Sequence, residues 1–171
     1  MDIATAKLLA AYNKAANEKM NTIILGLDEA KWTREFSGYF KSIKSLCNHL
    51  YVTDFVYMKR FSGLRSFKYM ENAYFAKTLE FGTNYLGDVR DYDAKRRELD
   101  AWLVKFVDEL GEADFAATLS YKDSGGNPHK RNFGGLVVHM FNHDTHHRGM
   151  VSLYLENLGI ENDFNSLSDL L

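Results

Sequence analysis

VVHMFNHDTHHRGMVSLYLENLG, residues 137–159, has the apolar periodicity of a long buried helix, yet it holds four histidines within nine residues: His139, His143, His146 and His147. Imidazole is partly polar and titrates near neutrality. Placing it on an apolar helix face requires a partner for its nitrogens. Residues four apart on a helix stand one turn apart and nearly in line. His139 with His143, and His143 with His147, are such pairs. Steps of four and three from Leu136 give Met140, His143, His147, Met150 and Tyr154 as the inward register, whereas a rival register gives His139, His143, His146 and Met150. The pattern leaves both open, and His143 belongs to both.

Two imidazoles at this spacing can point at one cation, as in helices that bind zinc through His-x-x-x-His. A third ligand has to come from another segment. His49 is the natural candidate, because it interrupts the apolar stripe of a second amphipathic stretch. Spacing alone leaves two readings, a set of hydrogen-bonded core histidines or a metal site. Three neutral histidines with a free fourth position describe a catalytic type of zinc site. Imidazole also suits nickel, iron and copper. A cation held this way lowers the pKa of a bound water and deprotonates a coordinating thiol.

The rest of the chain reads as helices of the same kind. Apolar residues recur at helical steps from Asp2 to Leu25 (Leu8, Tyr12, Ala15, Ala16, Ile23, Ile24, with Lys19 at the edge), and Gly26 suits a helix stop. A second helix is expected over Phe36–Phe61, with Phe36, Tyr39, Phe40, Ile43, Leu46, Leu50 and Tyr57 as its stripe and His49 and Thr53 on the inward side. Residues 64–87 are looser, with a short helix expected at 72–79. Asp88–Leu110 reads as a third long helix, with Val89, Tyr92, Leu99, Leu103, Phe106 and Leu110 on its apolar face. Thr118, Leu119 and Tyr121 favour extended chain, and Ser124-Gly125-Gly126-Asn127-Pro128 is a turn cluster, so a short hairpin is expected before the last helix. That helix begins near Phe133 or Leu136 and ends near Leu158. The fold class is therefore all-α: a four-helix bundle with a long connection between helices 2 and 3. A single proline in 171 residues leaves room for such helices.

Charge and composition narrow the function. Acids outnumber bases by 23 to 21, and the longest basic run is three residues, Lys95–Arg97, so the electrostatic footprint of a nucleic-acid binder is missing. One cysteine, Cys47, excludes an intrachain disulfide framework and fits a reducing compartment. No apolar run reaches the roughly 20 residues needed to span a bilayer. The expectation is a soluble cytoplasmic protein without nucleic-acid or membrane partners. Trp32, between the first two helices, is a candidate interface aromatic, and Gly149 a candidate for close helix approach.

Two blocks resemble the DinB/YfiT-like family of metal-dependent bundle proteins. GYFKSIKSLCNHLYVTDFVYMKRF is similar to the family's Leu-x-His block, followed five residues later by an acid. HMFNHDTHHRGMVSLYLENLG is similar to its Asn-His-x-x-x-His-Arg-Gly block. The length of the first helix, the hairpin before the last helix and the order of the blocks extend the resemblance over nearly the whole chain, read as one domain spanning residues 1–171. The resemblance implies a divalent metal, zinc or nickel first and iron next, held by His49, His143 and His147. His146 is then the neighbour beside a ligand. Thr53, Asp54 and Arg148 fall near the site, with Asp54 expected to pair with Arg148 or another helix partner. Met150 departs from the family, which often has glutamine after the Arg-Gly pair. Members of the wider family transfer groups with a low-molecular-weight thiol. The resemblance thus implies a thiol-dependent transferase or a hydrolase acting on a small molecule, and a homodimer. A non-catalytic metal-binding stress-response module acting through a partner is the alternative.

Overall fold

A computed structural model describes all 171 residues, Met1–Leu171. Four long helices form a bundle: α1 (Ile3–Ile24), α3 (Ile43–Phe61), α4 (Val89–Asp108) and α6 (Phe133–Asn157). Two short helices, α2 (Glu29–Trp32) and α5 (Glu112–Ala116), and a hairpin of β1 (Thr118–Lys122) and β2 (Pro128–Asn132) lie in the connections. Helices α1 and α3 each pack against both α4 and α6. The first two long helices are therefore diagonal neighbours, and the long connection over residues 62–88, which carries two 3-10 turns at 68–71 and 73–76, delivers α4 between them. The single helix expected at 72–79 is only a 3-10 turn, and α2 and α5 were not anticipated.

The hairpin sets the start of α6. Its antiparallel register runs from Thr118 opposite Asn132 to Lys122 opposite Pro128. The Asp123 carboxylate closes the turn by accepting from the backbone N–H groups of Gly125 and Asn127, each at 2.9 Å. Asn132 then caps α6, accepting from the Gly135 N–H at 2.8 Å, while its amide donates to the Phe115 carbonyl at 2.8 Å. A turn-bound side chain at a helix start is the preferred N-cap arrangement.

The expected second helix over 36–61 is shorter than its pattern suggests. It begins at Ile43, and residues 36–42 form a strap instead. Ser42 and Ser45 build a reciprocal capping box: the Ser42 hydroxyl accepts from the Ser45 N–H at 3.1 Å, and the Ser45 hydroxyl accepts from the Ser42 N–H at 2.9 Å. Phe36, at the other end of the strap, stacks on Tyr154 of α6 at 4.2 Å between centroids. The Tyr154 hydroxyl donates to the Phe40 carbonyl at 2.7 Å, and a β-carbon on Gly38 would overlap that hydroxyl. The apolar spacing at 36, 39, 40 and 43 imitates a helix, but its first three positions serve a loop laid over the bundle. Ser42→Ala is expected to lower the unfolding free energy by about 1 kcal/mol, the usual effect of losing such a cap, measured as a shift in urea midpoint at unchanged slope.

Trp32 is not an interface residue. It is 0% exposed, packs on Tyr92 at 5.7 Å and donates from Nε1 to the Gly87 carbonyl at 3.3 Å. Gly149 is exposed, with open space where a side chain would stand, so it does not mediate a helix crossing. No helix is long and apolar enough to cross a membrane.

Apart from Asn21, Thr53 and His147, the buried polar residues of the bundle form one layer to which every long helix contributes. Asn13 and Asn17 (α1), Asp54 (α3), Arg96 and Asp100 (α4), and Asp144 and Arg148 (α6) are all buried. Arg96 donates from Nη1 to Asp54 and from Nη2 to Asp100, both at 2.6 Å. Asp100 accepts from the Asn17 amide at 2.9 Å, and Asn13 accepts from Arg148.

Candidate metal centre

Helices α3 and α6 pack side by side, and their facing sides carry His49, His143 and His147. One nitrogen from each ring lies within 4.8 Å of the other two. The Nε2 atoms of His49 and His143 are 3.0 Å apart. Ring centroids are separated by 4.7 Å for His49 and His147 and by 4.3 Å for His143 and His147. Two nitrogens bound to one cation at about 2.0–2.1 Å stand roughly 3.0–3.4 Å apart, so the first pair already has ligand spacing. The donor set fits a divalent metal of intermediate softness.

Burial keeps these rings in the neutral, ligating form. It holds His49 down to about 4, with repulsion from a charged His143 adding to the effect, and His147 down to about 3, with repulsion from His143, His49 and His146 adding. Burial lowers His143 as well, opposed by the charge of Asp54. The sign for stability follows directly. An unfolded histidine takes up its proton near pH 6.5, whereas His49 and His147 resist protonation until pH falls to about 4 and 3. Their contribution is complete above pH 6.5 and is lost progressively as pH falls towards that lower range. Asp54 acts oppositely: burial first, then the Asp144 charge, push it up to about 8, so its contribution declines as pH rises towards that value. A His49→Gln/His147→Gln double variant separates the two effects. In chelator-treated protein it is expected to lose less melting temperature than wild type between pH 7 and pH 5.

The other side chains near the triad divide cleanly. The Thr53 hydroxyl sits 3.4 Å from His49 Nδ1, one turn along α3. Phe40, on the strap, lies over the triad, 4.6 Å from the His49 ring and 5.3 Å from the His147 ring. His139 and His146 are exposed on α6, although the His146 ring lies 4.8 Å from that of His147. Asp54 pairs with Arg96 and not with Arg148. Arg148 turns towards α1 and the C-terminal segment, donating to Asn13, Asn17 and Asn165. Cys47 is buried, and burial pushes its thiol up to about 12, so it behaves as a small apolar residue. His129 lies on β2 and bonds Asp123 at 2.9 Å.

A cleft of about 540 Å³ opens beside His49, between the strap (Tyr39, Phe40), the exposed side of α3 (Lys44, Asn48) and the 81–84 turn (Phe81). Asn48 fixes that turn, donating to the Thr83 carbonyl at 3.0 Å and accepting from the Tyr85 N–H at 2.8 Å. Sequence reasoning missed both the strap and this turn as walls of the site. Arg96, Asp100, Asn13 and Asn17 also escaped it. The available signal was a polar residue on the helical step between Tyr92 and Leu99, and asparagines spaced by four in α1.

Fold and site together define a class: a helical bundle whose three convergent imidazoles could hold a metal ion at the edge of a cleft. The model of the DinB family matches residues 2–165, and the chain belongs to that family. Its fold is similar to the crystal structure of the DinB-like protein YjoA from Bacillus subtilis, with a TM-score of 0.65 and 12% identity over 92% of this chain and 97% of that one. No curated protein matches the chain in sequence.

Proposed function

We propose that this protein binds one divalent metal ion through His49, His143 and His147 and uses the adjoining cleft to activate a thiol or a water for reaction with a small electrophile. The observation that carries this reading is the 3.0 Å approach of two Nε2 atoms from different helices, with His147 alongside, at the wall of an accessible cleft. A divalent cation there would supply Lewis acidity, favouring the deprotonated nucleophile near neutral pH. Imidazole suits zinc, nickel and iron alike, and zinc or nickel is the ion we propose first.

The chain's own residues do the remaining work. The depressed basicity of His49 and His147 keeps their lone pairs available at neutral pH. Thr53 steadies the His49 ring through Nδ1. Phe40 covers the rings of His49 and His147 and also lines the cleft, into which His49 opens. The aromatic walls at Tyr39, Phe40 and Phe81 suit the apolar body of a small substrate, and Lys44 places a cation at the rim. A homodimer in the cytoplasm is the assembly and compartment we propose.

Cobalt-substituted protein, prepared without a metal-affinity tag, tests the reading. Visible bands of a four- or five-coordinate ion are expected, with a new near-ultraviolet sulfur-to-metal band when a small thiol is added. Metal-dependent bands that no thiol perturbs would remove the thiol-activation reading and favour a non-catalytic metal-binding module. No cobalt bands at all would remove the metal site.

A further inference from the structure

The buried face of α6 presents an unmet hydrogen-bonding demand directly behind the triad. His143 is held between two neighbours. Its Nε2 meets His49, while its Nδ1 is buried and has no hydrogen-bond partner. The Asp144 carboxylate is 1% exposed, and neither of its buried oxygens accepts from a nitrogen donor, although the Asp54 carboxyl group lies beside it. One of those oxygens lies 3.8 Å from His143 Nδ1. Buried polar atoms are nearly always satisfied, and a carboxylate is a particularly costly group to leave bare. Here a ring nitrogen able to donate and a carboxylate oxygen without a nitrogen donor stand roughly 0.6 Å beyond hydrogen-bond range.

We propose that Asp144 is a positioning residue for the metal centre, its carboxylate accepting the Nδ1–H of His143 and so committing Nε2 to face His49 and His147. The two ring nitrogens are linked in this way: the one that donates leaves the other as the lone-pair ligand. Histidine ligands ordinarily donate their second nitrogen to a carboxylate, carbonyl or water. His49 has Thr53 in that place, and Asp144 fills it for His143. Besides the neighbouring Asp54 carboxyl group, whose raised pKa lets it share its proton with Asp144, no group claims the carboxylate. Arg148, one turn along α6, bonds Asn13 and Asn17 of α1, and Arg96 bonds Asp54 and Asp100. The layer holds three buried carboxyl groups, Asp54, Asp100 and Asp144, against two guanidiniums. The carboxyl group without a guanidinium bond is therefore the one nearest the triad.

This role presupposes the metal site proposed above, so the test separates the two. Zinc affinity is measured by chelator competition on the full, tag-free chain. Asp144→Asn is expected to weaken binding by about 10- to 100-fold, the usual effect of removing a ligand's supporting partner. Asp144→Glu should recover part of that loss. Asp100→Asn, in the same buried layer but bonded to Arg96 and Asn17, should leave the affinity of the folded protein unchanged. In zinc-loaded wild type, long-range proton–nitrogen correlation should show a downfield, exchange-protected Nδ1 proton on His143. Wild-type affinity in Asp144→Asn, or a rapidly exchanging Nδ1 proton in loaded wild type, would overturn the role of Asp144 while leaving the metal site standing. Wild type that binds no zinc would overturn both.

Discussion

His49→Ala and His143→Ala are each expected to reduce metal content from about one equivalent per chain to a trace, whereas His139→Ala leaves it intact. The two rings come from different helices, α3 and α6, and their Nε2 atoms meet at 3.0 Å. Removing either leaves two imidazoles, too few to retain a divalent ion through dialysis against a weak chelator. The loss in affinity should exceed the roughly 10- to 100-fold effect of removing an outer partner. His139 is exposed, with its ring centroid 6.3 Å from that of His143, so its removal is the appropriate control. Elemental analysis of protein made without a histidine tag reads the result. Equal metal content in all three variants would mean that the histidines are hydrogen-bonded core residues and nothing more.

Arg96→Met should be the most destabilising single replacement in the bundle, by about 3–5 kcal/mol. Arg96 is 1% exposed and holds Asp54 and Asp100 at 2.6 Å on either side. Methionine fills much of the same space but leaves two buried carboxyl groups without their cation. Against a total stability of about 5–15 kcal/mol for a typical domain, the loss is large enough to bring the variant close to unfolding at 37 °C. The effect belongs to the abandoned carboxylates and not to the absolute worth of the ion pairs. Arg96→Met combined with Asp54→Asn and Asp100→Asn should therefore regain much of the stability. Urea titrations of wild type, Arg96→Met and the triple variant give the comparison, and a triple variant no more stable than Arg96→Met would contradict it.

The parts of the molecule that sequence periodicity revealed are those where apolar residues alone set the pattern. The last helix, the third long helix and the hairpin lie close to where their apolar steps and turn residues place them. Between the two registers of the histidine helix, the one through Met140 matches the burial: Met140 and His147 are buried, while His139 and His146 face solvent. The misreadings have a common cause. In α1 the buried face runs through Ala6, Ala10, Asn13, Asn17, Met20 and Ile24, and Leu8, Ala15 and Ile23 are only partly covered. Asparagines counted as polar shift an apparent stripe away from its true position. Arg96 lies on the same step as Tyr92, Leu99 and Leu103 but is taken for a surface residue until its two carboxylate partners are seen. The strap shows the converse error. Phe36, Tyr39 and Phe40 carry helical spacing, and only the Ser42–Ser45 capping box marks the true helix start. Pairings between distant segments, such as Phe40 against His147 or Asp54 against Arg96, have no local signature at all.

Crystals of the zinc-loaded protein, with diffraction recorded on both sides of the zinc absorption edge, test the central claim most directly. One anomalous peak per chain is expected, about 2.0–2.2 Å from a nitrogen of each of His49, His143 and His147, with a further coordination position open to the cleft. A peak bound by only one of these rings, or no peak with His49 and His143 still in direct contact, would contradict it.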